Sequence, residues 1–108
     1  MVENEELFIV ITIGTTMEYF ALIYYLVDDY LSRRAAFREK HLRLAKEANG
    51  TGDLVSAGAF SDPADRALLI FHVKNMTVIE KFIRNDPYVE NGLVTRWEIR
   101  PWSVVIGS

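Results

Sequence analysis

The sequence has no cysteine and only two histidines, and both shortages narrow the chemistry available to it. Without cysteine there can be no disulfide, no thiolate zinc site and no cysteine nucleophile. His41 and His72 are too few for a multi-histidine metal site. The sequence also shows no glycine-rich phosphate loop and no nucleophile elbow. We therefore expect neither a metal nor any other cofactor.

The composition is that of one globular domain, with 108 residues, 50% of them hydrophobic and 25% charged. The net charge of −3 is unevenly placed, because residues 30–48 carry +4 and the rest of the chain carries −7. A basic helix can attract an anionic ligand or a nucleic-acid backbone, but a solvated helix face is the commoner explanation. We expect no nucleic-acid partner.

The N-terminal third contains an apolar stretch, residues 7–27, that is long enough to span a bilayer and holds a single charge, Glu18. A Gly-Thr-Thr tripeptide divides the stretch, and both flanks are acidic, so no basic residue could set an orientation. Two strands, at residues 7–13 and 19–27, fit this pattern better than one membrane helix. We expect no membrane contact and a cytoplasmic location.

From residue 19 onward the hydrophobic pattern predicts the element order β-α-β-β-α-β. One continuous helix over residues 30–48 follows the first strand, and a second helix begins at Thr77 and is stopped by Pro87. The other strands are predicted at residues 53–59, 67–73 and 93–100. This order is the ferredoxin-like α+β fold, with an antiparallel sheet covered by helices on one face. The uncovered face would be large and apolar, so we expect a homodimer packed sheet to sheet.

Two residues have the chemistry of a proton-transfer site. His41 lies on the apolar stripe of the first helix, and histidine is the side chain best suited to exchange protons near neutral pH. Asp86 directly follows the second helix, whose macrodipole disfavours a negative charge by ~0.3–1 kcal/mol, so its carboxylate requires a cation or hydrogen-bond donors. Each also has a structural interpretation, as a packed histidine and as an Asp-Pro turn. We interpret His72, on a strand, as structural.

Three short segments stand out by their order and spacing: Arg38-Glu39-Lys40-His41-Leu42, Ser56-Ala57-Gly58, and Asp86-Pro87-Tyr88 with Gly92 four residues later. Together they resemble the YCII-related (YciI-like) family. The resemblance runs from Met17 to Trp102. It implies a ferredoxin-like subunit that pairs into a dimeric α+β barrel, with a site built around His41 and Asp86. Most members have no assigned reaction, and one branch is a dehydrochlorinase acting on a chlorinated hydroxyquinol.

The residues and the resemblance together predict a small cofactor-independent acid–base enzyme of lyase, isomerase or dehydrochlorinase type. Its substrate would be a small aromatic or anionic molecule. His41 would exchange the proton and Asp86 would orient the imidazole. The residues expected to bind the ligand are Arg38, Ser56, Gly58 and Tyr88. The alternative is a dimeric module that binds a small ligand, or assists another protein, without turnover.

Residues 1–16 have no counterpart in the resemblance. We therefore divide the chain into an N-terminal extension with an extra strand, residues 1–16, and a single YCII-like domain, residues 17–108. A chain that starts at Met17 should stay folded and dimeric, as measured by circular dichroism and light scattering beside the full-length protein. Loss of the folded state would show that the extension belongs to the domain, for example by covering a sheet edge.

Overall fold

The computed structural model describes residues 16–107, so the strand predicted at residues 7–13 lies outside the described residues. The strands are β1 (Glu18–Leu26), β2 (Leu54–Ala59), β3 (Arg66–Val73) and β4 (Val94–Pro101). The helices are α1 (Tyr30–Arg33), α2 (Arg38–Gly50), α3 (Thr77–Asn85) and α4 (Pro87–Glu90), with a 3-10 turn (Arg34–Ala36) after α1. Among these helices, none has the length and apolar character needed to cross a membrane.

The four strands form one antiparallel sheet in the order β2-β3-β1-β4. The most apolar strand, β1, is central and pairs with a neighbour on each side, which satisfies its backbone where water is excluded. Alternate residues of β1 are buried on one face: Phe20, Leu22, Tyr24 and Leu26. The predicted ferredoxin-like α+β fold is confirmed.

The helices pack on this buried face and complete the core. From α3 come Ile79, Phe82 and Ile83, which are buried, and the ring of Phe82 meets that of Phe71 on β3 edge to face. Fully burying a side chain of this size stabilises the fold by about 1.5–3 kcal/mol. Because α3 lies here, the chain that follows it, including Asp86, is held close to β1.

The prediction of a single helix over residues 30–48 is wrong, because the structure divides this segment into α1, the 3-10 turn and α2. The Phe37 N–H donates to the Arg34 carbonyl, which closes the turn, and Phe37 itself leaves the helical conformation at φ −120°, ψ −2°. Nothing in the sequence marks the break, since residues 33–38 contain neither proline nor glycine. The break separates Tyr30, which is buried in the core, from α2, which has no fully buried residue.

The face of the sheet opposite the helices, here called the open face, is apolar only at its centre. The half-buried residues at that centre are Ala21, Ile23, Leu68 and Ile70, which pair across β1 and β3. At one end the Tyr25 ring lies against the guanidinium groups of Arg66 and Arg96, 5.2 and 3.6 Å from its centroid. At the other end Tyr19 stacks on His72, with the ring centroids 4.1 Å apart. The open face is therefore an apolar patch with polar ends, and on the β4 side it is bordered by Glu98 and Arg100, the register partners of Ile23 and Ala21.

Candidate active site

The Asp86 carboxylate is fully buried, and it accepts three hydrogen bonds from three different elements. The Tyr24 hydroxyl of β1 donates to Oδ2 at 2.8 Å, and His41 Nδ1 of α2 lies 2.8 Å from Oδ1. The backbone N–H of Tyr88 in α4 donates to Oδ1 at 3.0 Å. These donors offset the large cost of taking a carboxylate out of water. The two site residues predicted for proton transfer, His41 and Asp86, are thus in direct contact.

The local sequence fixes the position of this carboxylate. Asp86 ends α3 and precedes Pro87, and its backbone is extended at φ −78°, ψ 117°, as the residue before a proline prefers. Its side chain caps α4 by accepting the Tyr88 N–H. From the sequence only the unfavourable C-terminal end of α3 was apparent, whereas the start of α4 supplies a donor at the same residue.

His41 is held in one orientation by two contacts. Its ring stacks on that of Tyr88 with centroids 3.8 Å apart and planes 10° apart, and its side chain is 15% exposed. A carboxylate is an acceptor, so the bond to Asp86 places the imidazole proton on Nδ1. Nε2 then has no hydrogen-bond partner among residues 16–107. The free nitrogen of a fixed imidazole can accept or deliver a proton.

Tyr24 is a member of this site that the sequence reasoning missed. In the sequence Tyr24 is one residue of an apolar strand. A strand buries alternate residues, and a buried phenol hydroxyl needs a hydrogen-bond partner. That was the available signal. Burial, and then the neighbouring Asp86 carboxylate, raise the pKa of Tyr24 far above its usual range. The phenol is therefore a neutral donor to Asp86 at neutral pH.

A cavity of about 180 Å³ lies beside His41. Arg34, Arg38 and Tyr88 share in its lining, together with small residues of the edge strand β2. A cavity of about 150 Å³ is large enough to hold benzene, so this one suits a ligand of a single ring. The cavity, His41 and Asp86 together form the candidate active site.

The predicted ligand-binding residues divide into two groups. Arg38, Tyr88 and Gly58 line the cavity. Ser56 does not, because its register partner is Ile70 and its side chain belongs to the open face. A Cβ added at Gly58 would meet no atom within 4 Å, so the packing of the protein does not require glycine there. Arg34, which the sequence reasoning did not select, also lines the cavity.

Within the described residues, no group of three or more His, Asp or Glu side chains could hold a metal ion. The polar groups of the candidate site are an imidazole, a carboxylate, phenols and guanidinium groups.

The contact between Tyr24 and Asp86 predicts a change in alkaline stability for Tyr24→Phe. The unfolded phenol ionises near pH 10, and the folded one has a raised pKa, so its contribution to stability is lost as pH rises above the unfolded value. Above pH 10 the unfolding free energy of the wild type should fall more steeply than that of Tyr24→Phe, by about 1.4 kcal/mol per pH unit. At neutral pH the variant should be less stable by about 1–3 kcal/mol, because Asp86 loses a donor.

Urea unfolding between pH 7 and pH 11.5 measures both effects. Parallel pH dependences for the two proteins would show that Tyr24 is not held neutral by its surroundings.

Solved structures of other proteins share this fold, among them the following two. One is 5-chloro-2-hydroxyhydroquinone dehydrochlorinase (TftG) from Burkholderia phenoliruptrix AC1100 in complex with 2,5-dihydroxybenzoquinone, with a TM-score of 0.68 and 16% identity over 79% of this chain and 93% of that chain. The other, from Bacteroides thetaiotaomicron VPI-5482, is described as an antibiotic biosynthesis monooxygenase; its TM-score is 0.55 and its identity 10%, over 84% of this chain and 91% of that chain. At these identities the likeness shows the fold alone.

No curated protein matches the sequence. The model of the YCII-related domain does match, over residues 17–103, which is most of the chain and begins where the sequence resemblance begins. The chain belongs to the YCII-related family.

Proposed function

We propose that the protein is a cofactor-independent acid–base enzyme of lyase or isomerase type that acts on a small molecule. The observation that carries this proposal is the 2.8 Å contact between His41 Nδ1 and the buried Asp86 carboxylate, at the wall of a cavity that suits one ring. In the proposed mechanism His41 moves the proton, and Asp86 orients the imidazole and stabilises its charged form.

The proton transfer that His41 can perform depends on which of its two ring nitrogens is free. With Nδ1–H held by Asp86, the lone pair is on Nε2, which can remove a proton from a substrate carbon or hydroxyl. The same nitrogen can then return the proton at another atom of the substrate or to a leaving group. Isomerisation and elimination need only such a transfer, and a well-placed base accelerates it by about 10²–10⁴-fold.

The dehydrochlorinase that shares the fold supports this class of reaction. Loss of hydrogen chloride is an elimination, in which a proton and a chloride leave the substrate. The ligand in that structure, 2,5-dihydroxybenzoquinone, is a single six-membered ring, which is the size that the present cavity suits. We therefore infer that eliminations from small ring compounds are the reactions to test first.

The proposal predicts the effects of two substitutions on turnover. In a screen of chlorinated and hydroxylated single-ring compounds that starts with 5-chloro-2-hydroxyhydroquinone, the wild type should release chloride or isomerise at least one compound. His41→Ala should lower kcat by about 10²–10⁴-fold, because the proton acceptor is gone. Asp86→Asn should lower kcat by a comparable factor, because the amide no longer fixes the tautomer.

Glu39→Gln is the matched control for Asp86→Asn, because Glu39 is exposed on α2 and outside the cavity. It should keep the activity of the wild type. Full turnover by His41→Ala would overturn the proposed mechanism. Ligand binding by the wild type without turnover of any compound would favour the non-catalytic binding module.

We also propose that two copies of the chain pair through their open faces. The apolar centre of that face, with Ile23, Leu68 and Ile70 half-buried, is the kind of surface that a second copy would remove from water. A sheet-to-sheet dimer should bury about 1,200 Å² or more in total. The polar ends of the face would then lie at the rim of the interface, where charged groups remain solvated.

Pairing through the open face predicts a mass near twice the 12.4 kDa of the chain in light scattering at micromolar concentration. Ile23→Asp, at the centre of the face, should shift that mass to the monomer, because it would bury two unpaired carboxylates. Leu31→Asp makes the same kind of change at a side chain that is 57% exposed on α1, and it should leave the dimer intact. A monomeric wild type, or an unchanged mass in Ile23→Asp, would contradict the proposed pairing.

A further inference from the structure

The charged side chains that line the cavity are all of one sign. They are the guanidinium groups of Arg34 and Arg38, and no carboxylate of residues 16–107 lines the cavity. The Asp86 carboxylate, which contacts His41 and Tyr24 of the lining, is fully buried, and its oxygens are already taken by three donors. A ligand in this cavity therefore meets positive charge without a negative group beside it.

Ion pairs within residues 16–107 do not neutralise the two arginines that line the cavity. Within the described range, neither Arg34 nor Arg38 has a carboxylate oxygen within 4.0 Å. Arg43 on the same basic segment is different, because it pairs with Glu39 at 3.2 Å. The Arg34 guanidinium instead lies over the Tyr30 ring, 5.5 Å from its centroid, a contact that holds a cation without neutralising it.

Tyr88 also lines the cavity and brings a hydroxyl group close to the two arginines. The hydroxyl is buried, and no acceptor within residues 16–107 takes its proton. Burial, and then Tyr30, raise the pKa of Tyr88, while Arg38, by its charge and as a hydrogen-bond donor, and then Arg34 oppose the rise. Arg38 can only donate, so the hydroxyl proton still lacks an acceptor in the described part of the chain. A buried hydroxyl in this state is rare in proteins, and an acceptor atom on a ligand would supply what it lacks.

We propose that Arg34, Arg38 and the Tyr88 hydroxyl form an oxyanion subsite, and that the ligand of the cavity is a single-ring anion whose charged oxygen binds there. A guanidinium and a phenol both donate hydrogen bonds, which suits a carboxylate or an enolate or phenolate oxygen and disfavours a cation. The Tyr88 ring stacks on His41, so an anion held at this subsite lies beside the proton-transferring imidazole. The link to turnover rests on the proposed function, whereas the binding of the anion does not.

Calorimetric titration of the full-length protein at pH 7.5 tests this with two matched pairs of probes. The first pair is 2,5-dihydroxybenzoquinone, whose acidic hydroxyls ionise, and its neutral dimethoxy analogue. The second pair is benzoate and the neutral benzamide. At least one anion should bind about tenfold or more tightly than its neutral partner, as charge-assisted hydrogen bonds to guanidinium groups imply. The pair that discriminates identifies the subsite as one for enolates or for carboxylates.

Substitutions locate the binding. Arg34→Gln and Arg38→Gln should each lower the affinity for the preferred anion by about tenfold and leave the neutral analogue unaffected. Tyr88→Phe should also weaken the anion selectively. Arg43→Gln removes the same charge on the outer face of α2 and should change nothing, because Arg43 does not line the cavity.

Equal affinity for charged and neutral probes, no binding of either anion at millimolar concentration, or equal effects of Arg34→Gln and Arg43→Gln would each overturn the subsite. The His41→Ala variant distinguishes failure of the subsite from failure of the proposed catalytic mechanism. If the anion binds selectively but His41→Ala keeps full turnover, the mechanism fails and the subsite stands. If turnover requires His41 but neutral rings bind as well as anions, the subsite alone fails.

Discussion

The burial of one carboxylate constrains the whole site. Asp86 has no contact with water, so it must be surrounded by donors that the fold holds in place. β1 supplies the Tyr24 hydroxyl, α2 supplies His41, and α4 supplies the Tyr88 N–H. These elements are far apart in the sequence, and each contributes one hydrogen bond to the same side chain. The geometry of the imidazole is therefore tied to the packing of helices on the sheet.

The uneven charge along the chain has a structural explanation once the helices are in place. Residues 30–48 carry +4, and from the sequence this segment was best interpreted as a solvated helix face. Part of it is solvated, since Arg33 and Arg43 pair with acidic neighbours on the surface. Arg34 and Arg38 line the cavity instead. Some arginines of this basic segment thus form ion pairs on the surface, whereas others give the cavity its positive charge.

What could be predicted from the sequence was mostly what periodicity and proline determine. The hydrophobic pattern of the strands predicted the element order, and Pro87 predicted where α3 ends. The position of His41 on the apolar stripe of the helix was sufficient to suggest that it faces the sheet. Ser56 was expected at the site because the Ser56-Ala57-Gly58 segment is part of the resemblance. Strand register, which the sequence does not determine to the residue, places its side chain on the open face instead.

Other features depend on tertiary contacts that leave no local signal. The break between α1 and α2 occurs without a proline or glycine, and only the packing of Tyr30 into the core distinguishes the two sides. Tyr24 gave the same sequence signal as any apolar strand residue, and its hydroxyl gains a role only because Asp86 lies 62 positions later against it. Arg34 was one of several arginines until the cavity distinguished it.

In the proposed site Asp86 fixes the tautomer of His41. Long-range proton–nitrogen NMR correlation on nitrogen-15-labelled protein, in a mildly alkaline buffer, distinguishes a protonated ring nitrogen from an unprotonated one. In the wild type, Nδ1 of His41 should be the protonated nitrogen and Nε2 the unprotonated one, and Asp86→Asn should abolish that assignment. A wild-type His41 protonated on Nε2, or a pattern that Asp86→Asn leaves unchanged, would contradict this role of Asp86.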